Sequence, residues 1–233
     1  MSVYDPIARI YDPWSRSVIE DVEFYVDEAL ASGGPVVELA VGTGRIAVPV
    51  AAAGIPVVGV DLSEQMLAVA REYAVSRGVE SLVELRLGDL RRPPVTTRVP
   101  LVICPFRSLL HMPDEAAKLE ALAAARELLE PDGRFVFDVF APSRDDITET
   151  HGRWLEREPG IFERADWDEA SRTLLLSVRS GDAAASFELH WLSEPEWRQL
   201  LGQAGFETEV VWGWFDRRPY TGGEDMIFAC RTR

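Results

Sequence analysis

The sequence predicts a doubly wound α/β fold, in which helices cover both faces of a mostly parallel sheet and an inserted antiparallel β element follows strand five. Short apolar runs alternate with helical periodicity between residues 36 and 140, which is typical of parallel strands joined by helices. After Pro142, strand-like segments follow one another without a helix. The 233 residues, 47% of them hydrophobic, can bury one sizeable core, so we expect residues 1–233 to form a single domain.

Residues 1–34 are predicted to form an N-terminal helical cap on this domain. Between Trp14 and Leu30 the apolar residues recur at helical spacing, and Gly33-Gly34-Pro35 then ends the pattern. The apolar face of this amphipathic helix consists of Val18, Val22, Tyr25, Val26, Ala29 and Leu30.

Predicted strands and helices alternate from residue 36 to residue 140. Each strand is a short apolar run bounded by turn residues, and Ser63 is the predicted N-cap of the second helix in this region. The turn Pro131-Asp132-Gly133 is predicted to precede the fifth strand. The strands cover residues 36–41, 56–61, 83–87, 101–104 and 134–140, and the helices cover 45–53, 63–78 and 114–129.

The segment 150–192 is predicted to be an inserted antiparallel sheet, which forms a lid or a dimer surface over the carboxyl edge of the main sheet. Its strands are predicted at 161–167, 173–178 and 187–192, and its large aromatic residues are Trp154, Phe162, Trp167 and Trp191. Ser193 and Glu196 then form a predicted capping box that opens a further helix. Two last strands are expected at 207–215 and 226–232.

The composition argues against several classes of protein. The formal net charge of −15 repels phosphate backbones, so we expect no nucleic-acid partner. No apolar run approaches the length of a membrane span, and we expect a cytoplasmic protein without a membrane partner. The histidines His151 and His190 form no metal-binding spacing with carboxylates, and Cys104 and Cys230 flank no partner, so no metal is predicted.

The end of the first predicted strand carries a glycine turn. In open α/β sheets a ligand binds outside the carboxyl ends of the strands, so this turn is a candidate binding loop. Gly42 and Gly44 allow a tight turn and a close approach of the backbone to a ligand. The segment Gly42-Thr43-Gly44-Arg45-Ile46-Ala47 also satisfies the glycine pattern of dinucleotide-binding proteins, so the turn alone is ambiguous.

Three acidic residues at or near strand ends favour an adenosyl cofactor with a cationic amino-acid part. Glu38 lies in the first strand, where a carboxylate would oppose a pyrophosphate. Asp61 ends the second strand and could accept the hydrogens of both ribose hydroxyls, which fits either class of cofactor. Asp89 follows the third strand, where it could accept a hydrogen bond from an adenine amino group. Their order along the chain, more than any one of them, carries the prediction.

The chain resembles the class I, Rossmann-like S-adenosylmethionine-dependent methyltransferases of the small-molecule type over most of its length. Val37 to Arg45 is similar to the first motif of that family, although Ala40 stands where the family usually has a glycine. The resemblance implies a seven-stranded sheet whose last strand runs antiparallel, and S-adenosylmethionine as the cofactor. It also implies that Tyr4 and Tyr11 close over the cofactor. The cofactor-binding residues implied are Tyr11, Glu38, Ala40, Gly42, Gly44, Asp61, Leu62, Met66, Gly88, Asp89, Leu90, Pro105 and Phe106.

Methyl transfer from this cofactor is an in-line displacement, for which alignment of the acceptor supplies much of the rate. A base helps when the acceptor is a protonated amine or a hydroxyl, and His111, just after the fourth strand, is the candidate catalytic residue. The alternative for His111 is a loop histidine that contacts backbone. The expected reaction moves a methyl group to a nitrogen or oxygen of a small-molecule acceptor. A nicotinamide-dependent oxidoreductase and a non-catalytic binder of an adenosyl ligand remain open alternatives.

Overall fold

A computed structural model describes residues 2–15 and 19–233 of the chain, so the predicted helical position Val18 lies outside the described residues. The strands are β1 Val36–Leu39, β2 Val57–Asp61, β3 Val83–Leu87, β4 Val99–Cys104, β5 Leu129–Phe140, β6 Trp154–Glu158, β7 Ile161–Asp168, β8 Thr173–Ser180, β9 Ala183–His190, β10 Phe206–Trp212 and β11 Asp225–Thr232. The α-helices are α1 Tyr11–Trp14, α2 Glu20–Ser32, α3 Ala47–Ala52, α4 Glu64–Arg77, α5 Glu115–Glu127, α6 Arg144–Thr150 and α7 Glu194–Gln203.

The main sheet has seven strands in the order β10-β11-β5-β4-β1-β2-β3. The strands from β1 to β5 pair in parallel, whereas β11 runs antiparallel to both β5 and β10. The order reverses next to β1, so the carboxyl ends of β1 and β4 border the crevice where open α/β sheets bind ligands. The predicted doubly wound fold and its antiparallel last strand are confirmed.

The inserted element is a four-stranded antiparallel sheet in the order β6-β7-β8-β9. The sequence pattern predicted three of these strands and missed β6 and the short helix α6. The segment Trp154–Glu158 carries three charged residues in five, so its sequence lacks the apolar alternation by which strands are recognised. Its strand conformation comes from pairing with β7.

Two other local features differ from the prediction. The predicted N-terminal helix is divided into α1 and α2 in the described residues. The turn at Pro131-Asp132-Gly133 lies inside β5 as a bulge, because the β4 pairing passes from Leu129 directly to Arg134 and Asp132 adopts a φ of 64°. The predicted caps are confirmed: Ser63 accepts a hydrogen bond from the Met66 amide at 3.0 Å, and Ser193 forms a capping box with Glu196.

Buried side chains cover both faces of the main sheet. On one face, Phe137 stacks between Phe135 and Phe228, with ring centroids 5.0 and 5.1 Å away. On the other face, Phe24 and Tyr25 of α2 pack on the central strands. The β5 backbone between these layers is therefore rigidly held, and its side chains serve as fixed points for the neighbouring loops. None of the helices in the described ranges is long and apolar enough to cross a membrane.

Candidate functional site

Two cavities lie side by side at the carboxyl edge of the main sheet. The glycine-loop cavity, of about 390 Å³, is bordered by the loops after β1, β2, β3 and β4. The inter-sheet cavity, of about 280 Å³, lies between the main sheet, the N-terminal segment and the inserted sheet. Four side chains border both cavities and form a shared wall: Tyr4, Tyr11, Phe106 and His111.

Most of the residues predicted to bind a cofactor line the glycine-loop cavity. The structure brings together residues from the N-terminal segment and from four loops, because parallel strands present all their carboxyl ends at one edge. The predicted residues that line this cavity are Tyr11, Ala40, Gly42, Asp61, Leu62, Met66, Gly88, Leu90 and Phe106. The predicted residues outside its lining are Glu38, Gly44, Asp89 and Pro105.

The loop after β1 adopts left-handed backbone conformations at three positions. Ala40, Gly42 and Gly44 have φ values of 59°, 55° and 80°. A Cβ on Gly42 would meet no atom within 4 Å, so the loop exposes bare backbone to the cavity. A Cβ on Gly44 would lie 3.2 Å from Val48 and 3.3 Å from Ala70, so this glycine lets the loop pack closely against α3 and α4. Ala40 tolerates a conformation that favours glycine.

Asp61 connects the loop after β1 to the start of α4. Its Oδ2 accepts a hydrogen bond from the Gly42 amide at 2.9 Å, and its Oδ1 accepts one from the Ser63 amide at 2.8 Å. Burial raises the pKa of Asp61, while the hydrogen bonds from Ser63 and Gly42 oppose that rise. Each carboxylate oxygen has a further lone pair, so Asp61 can still accept hydrogen bonds from two ligand hydroxyl groups.

The loop after β3 differs from the arrangement expected there. Asp89 pairs with Arg91 of its own loop, at 2.6 Å between Oδ2 and Nη2, and this ion pair lowers the pKa of the Asp89 carboxyl. Arg91, rather than Asp89, lines the glycine-loop cavity. A Cβ on Gly88 would lie 2.4 Å from Cδ of Pro94, so Gly88 is required by packing against Pro94 as well as by any close ligand.

Glu38 is buried beneath the loop after β1. Its side chain is 2% exposed, and burial raises its pKa well above the usual range, although nearby Arg45 opposes that rise. Arg45 itself forms a bidentate pair with Asp21, at 2.8 and 2.6 Å. In the described part of the chain, Oε2 of Glu38 has no hydrogen-bond partner. Glu38 lines neither cavity, so it can affect a ligand in the glycine-loop cavity only by supporting the loop after β1.

The N-terminal segment is attached to both sheets by side-chain hydrogen bonds. Ser63 donates to Asp5 and Thr43 donates to Asp12, each at 2.5 Å, which ties the segment to the glycine-loop side. The Trp14 indole donates to Glu163 of the inserted sheet at 2.8 Å. These contacts hold the segment across the tops of both cavities.

His111 is the last residue of a short 3-10 helix, Ser108–His111, after β4 and lies in the shared wall. Its Nε2 is 2.9 Å from Oη of Tyr4, a hydrogen bond that the sequence pattern did not reveal. Burial lowers the pKa of His111 to about 4, with a smaller contribution from His190. The imidazole is therefore neutral near pH 7, and the same burial makes it a weaker base than an exposed histidine.

Aromatic and apolar side chains dominate the inter-sheet cavity, and its charged groups are partly paired. Arg157 pairs with Glu163 at 2.8 Å, and Arg107 pairs with Asp225 at 2.9 Å. The lining residues that sequence analysis missed include Phe140, Arg157, Glu163 and Phe187. They could not have been found from local patterns, because ordinary strand and loop residues from distant segments meet here.

The aromatic residues of the inserted sheet have different surroundings. Trp167 lines the inter-sheet cavity, and Trp191 packs against it with ring centroids 5.6 Å apart. Trp154 and Phe162 line neither cavity and instead stack with the Arg179 guanidinium, at 4.2 and 5.6 Å from their ring centroids. No cluster of potential metal ligands occurs within residues 2–15 and 19–233.

Comparisons with known proteins agree with this arrangement. A family model described as a methyltransferase domain matches residues 36–133. A phosphatidylethanolamine N-methyltransferase of Cereibacter sphaeroides is 44% identical over 97 residues, which span 37% of this chain and 46% of that protein. The CcbJ methyltransferase from Streptomyces caelestis is 27% identical, with a TM-score of 0.81 over 93% of this chain and 97% of that chain. CalS10, an amino pentose methyltransferase from Micromonospora echinaspora, has a TM-score of 0.66 at 21% identity, covering 100% and 98% of the two chains.

Proposed function

Because the chain belongs to the class I, Rossmann-like S-adenosylmethionine-dependent methyltransferases, we propose that it transfers a methyl group to a nitrogen or oxygen of a small-molecule acceptor. The observation that carries this proposal is the wall shared by the two cavities. Because the same side chains border both cavities, a methyl donor in one cavity and an acceptor in the other would be neighbours, as an in-line transfer requires.

The residues of the glycine-loop cavity fit S-adenosylmethionine. Asp61 has free lone pairs for ribose hydroxyls, and the loop at Gly42 leaves room for a ligand beside bare backbone. Leu62, Met66 and Leu90 supply apolar contacts for a flat base. In this proposal Glu38 and Gly44 support the loop from behind, and Asp89 reaches an adenine amino group only if its pair with Arg91 opens.

When bound, the cofactor supplies a methyl group already activated on a sulfonium sulfur. The protein has to orient the acceptor, exclude water and take up a proton. Tyr4, Tyr11 and Phe106 place aromatic rings where the two cavities adjoin, which keeps water away from the reacting groups. Neutral His111 accepts the proton that an amine or hydroxyl loses as it is methylated.

The inter-sheet cavity limits the size of the acceptor. A cavity of about 280 Å³ fits a molecule, or the end of one, with one or two rings. CalS10 is named as an amino pentose methyltransferase, and MtfA, a further solved structure of similar fold, is named as a glycopeptide N-methyltransferase. We extend the acceptor class to this chain on the basis of the aromatic lining of its cavity. The named phospholipid acceptor of the Cereibacter relative defines a second class to test.

Calorimetric titration with S-adenosylmethionine, S-adenosylhomocysteine and NAD tests the cofactor. We expect both sulfur compounds to bind and NAD to give no heat of binding. Tight NAD binding without a response to the sulfur compounds would contradict the proposal. Turnover is then measured as S-adenosylhomocysteine release over a panel of amino sugars, aromatic amines, phenols and phosphatidylethanolamine vesicles. Binding of the cofactor with no release over the whole panel would favour a non-catalytic binder.

The domain organisation, the location and the oligomeric state of the protein are also proposed. Residues 1–233 act as one domain in the cytoplasm, and the inserted sheet serves as a lid or as the contact surface of a homodimer. Light scattering after size exclusion tests the dimer. Trp154 and Leu175 are the large apolar side chains exposed on that sheet, each 39% exposed. If the double variant Trp154→Ala and Leu175→Ala is still a dimer, the contact surface lies elsewhere.

A further inference from the structure

The loop after β4 carries two consecutive residues in an unfavourable backbone conformation. Phe106 and Arg107 have φ values of 55° and 63°, in the left-handed region that residues with a Cβ seldom adopt. Non-glycine residues persist in this region only where their surroundings hold them there, and such positions cluster at functional sites. The structure must therefore contain a restraint on this loop.

The restraint is the buried carboxylate of Asp138, on β5. Its Oδ1 accepts a hydrogen bond from the Phe106 amide at 2.8 Å, and its Oδ2 accepts one from the Arg107 amide at 3.0 Å. The Tyr25 hydroxyl on α2 donates to Oδ1 at 2.7 Å. One side chain thus holds both strained peptide units, and Asp138 is 5% exposed on a rigid strand.

The loop that Asp138 holds forms part of the shared wall. The Phe106 ring faces both cavities, and the Arg45 guanidinium stacks on it at 4.6 Å from the centroid. The Arg107 side chain pairs with Asp225, and its guanidinium stacks over the Phe140 ring at 4.6 Å from the centroid. A shift of the two peptide units would therefore move the wall between the cavities.

We propose that Asp138 is a positioning residue for methyl transfer: by accepting hydrogen bonds from the Phe106 and Arg107 amides, it sets the position of the Phe106 ring where the two cavities adjoin. The consequence for the cofactor rests on the proposed function, whereas the hold on the loop does not. Asp138 does not line either cavity, so it acts through Phe106 and touches no substrate.

Substitutions separate this role from ordinary core packing. In Asp138→Asn, one carboxylate oxygen becomes an amide NH₂, which cannot accept from a backbone N–H, so one of the two loop amides loses its acceptor. In Tyr25→Phe, the carboxylate keeps both loop amides and loses only the hydroxyl donor. The two variants change the same buried cluster, so Tyr25→Phe is the matched control.

The titration of Asp138 supplies a measurement that needs no ligand. Burial raises its pKa to about 6, and Asp21 of α2 adds to that rise. Tyr25, Arg107 and the Phe106 amide oppose it, and Arg45 and Cys104 are the other titratable groups that sense its charge. Protonation weakens the carboxyl as an acceptor for both loop amides at once.

The first experiment follows the amide proton shifts of Phe106 and Arg107 in the ligand-free protein between pH 5 and pH 8. We expect the two signals to move together, with a midpoint near pH 6 in the wild type and a higher midpoint in Tyr25→Phe, which lacks the hydroxyl donor that lowers the pKa of Asp138. In Asp138→Asn we expect neither to titrate. Wild-type signals that stay constant over this range would overturn the proposal, and this result does not depend on whether Asp138→Asn folds.

The second experiment measures the affinity for S-adenosylhomocysteine at pH 7.5. We expect Asp138→Asn to weaken binding roughly tenfold, as the loss of one hydrogen bond to a charged group predicts, and Tyr25→Phe to stay within about twofold. Equal losses in both variants would assign Asp138 to core packing and overturn its positioning role. A wild type that binds no S-adenosylhomocysteine would contradict the proposed function, while the amide shifts would still decide whether Asp138 holds the loop.

Discussion

Tyr4 and His111 are joined by a hydrogen bond of 2.9 Å, although 107 positions separate them in the sequence. The Tyr4 ring also packs against Phe187 of β9, with ring centroids 4.7 Å apart. The N-terminal segment, the loop after β4 and the inserted sheet therefore meet at one point, which is the wall between the two cavities.

Tyr4→Phe should slow methyl transfer without weakening cofactor binding much. The Tyr4 hydroxyl fixes the orientation of the His111 ring, so its loss leaves the imidazole less well aligned as a proton acceptor. We expect a rate roughly 10- to 100-fold lower in single turnover, with the S-adenosylhomocysteine affinity within about threefold. Tyr73→Phe, on α4 and outside both cavities, is the control. An unchanged rate in Tyr4→Phe would remove the Tyr4–His111 pair from the proton transfer.

His111 should make the protein less stable as the pH falls from 6.5 to 4. Burial lowers the folded-state pKa to about 4 from an ordinary value of 6.5, so over this window the unfolded chain binds more protons than the folded one. The free energy of unfolding should therefore fall by up to about 3 kcal/mol across the window.

Urea unfolding of the wild type and His111→Gln at several pH values measures this contribution as a difference. Asp138 changes the free energy of unfolding in the opposite direction in part of the same pH window, because its folded-state pKa is raised. Asp138 is present in both proteins, so its contribution cancels in the difference between them. His151→Gln, at an exposed position, is the control. A wild type and His111→Gln with parallel pH profiles would refute the prediction.

Ala40→Gly should stabilise the protein. Ala40 has a φ of 59°, and the penalty that its Cβ incurs in this region is only partly offset by the greater chain entropy of glycine in the unfolded state. We expect a gain of about 0.5–1 kcal/mol in the free energy of unfolding from denaturant titration. Ala68→Gly, within α4, should lose about as much, because that position is helical. A loss of stability in Ala40→Gly would show that the Ala40 methyl group contributes packing that outweighs the strain.

Asp61→Ala should weaken the binding of S-adenosylhomocysteine about 100-fold or more. The carboxylate is placed to accept two hydroxyl hydrogens, and each hydrogen bond to a charged group contributes about 1.5–3 kcal/mol. Glu64→Ala, which removes an exposed carboxylate three residues later, should change the affinity less than about twofold. Calorimetry on both variants decides the point, and comparable affinities for the two would place the ribose elsewhere.

The parts of the fold that sequence analysis predicted are those encoded in neighbouring residues. The alternation of apolar runs and helical periods identified the parallel strands, and the capping residues Ser63 and Ser193 marked where helices begin. The missed strand β6 has three charged residues among five, so pairing with β7 rather than local pattern makes it a strand. Asp132 was read correctly as a turn residue, but its turn is a bulge within β5.

The same distinction separates the site residues. Gly42 and Asp61 could be found because a turn and a strand end are local features, and the topology of the sheet brings all such ends to one edge. By contrast, the pairing of Asp89 with Arg91 and the hydrogen bond between Tyr4 and His111 depend on where side chains point after folding.

The sequence by itself thus determined the class of fold, the edge of the sheet at which we expect a ligand and the kind of cofactor that its acidic strand ends favour. Only the tertiary structure decided that two cavities share one wall, that Tyr4 reaches His111, and that Asp138 holds Phe106 and Arg107. The physical reason is the range of the interactions. Backbone periodicity and caps act over a few residues, whereas cavities and buried hydrogen bonds arise from side chains that only the packed chain brings together.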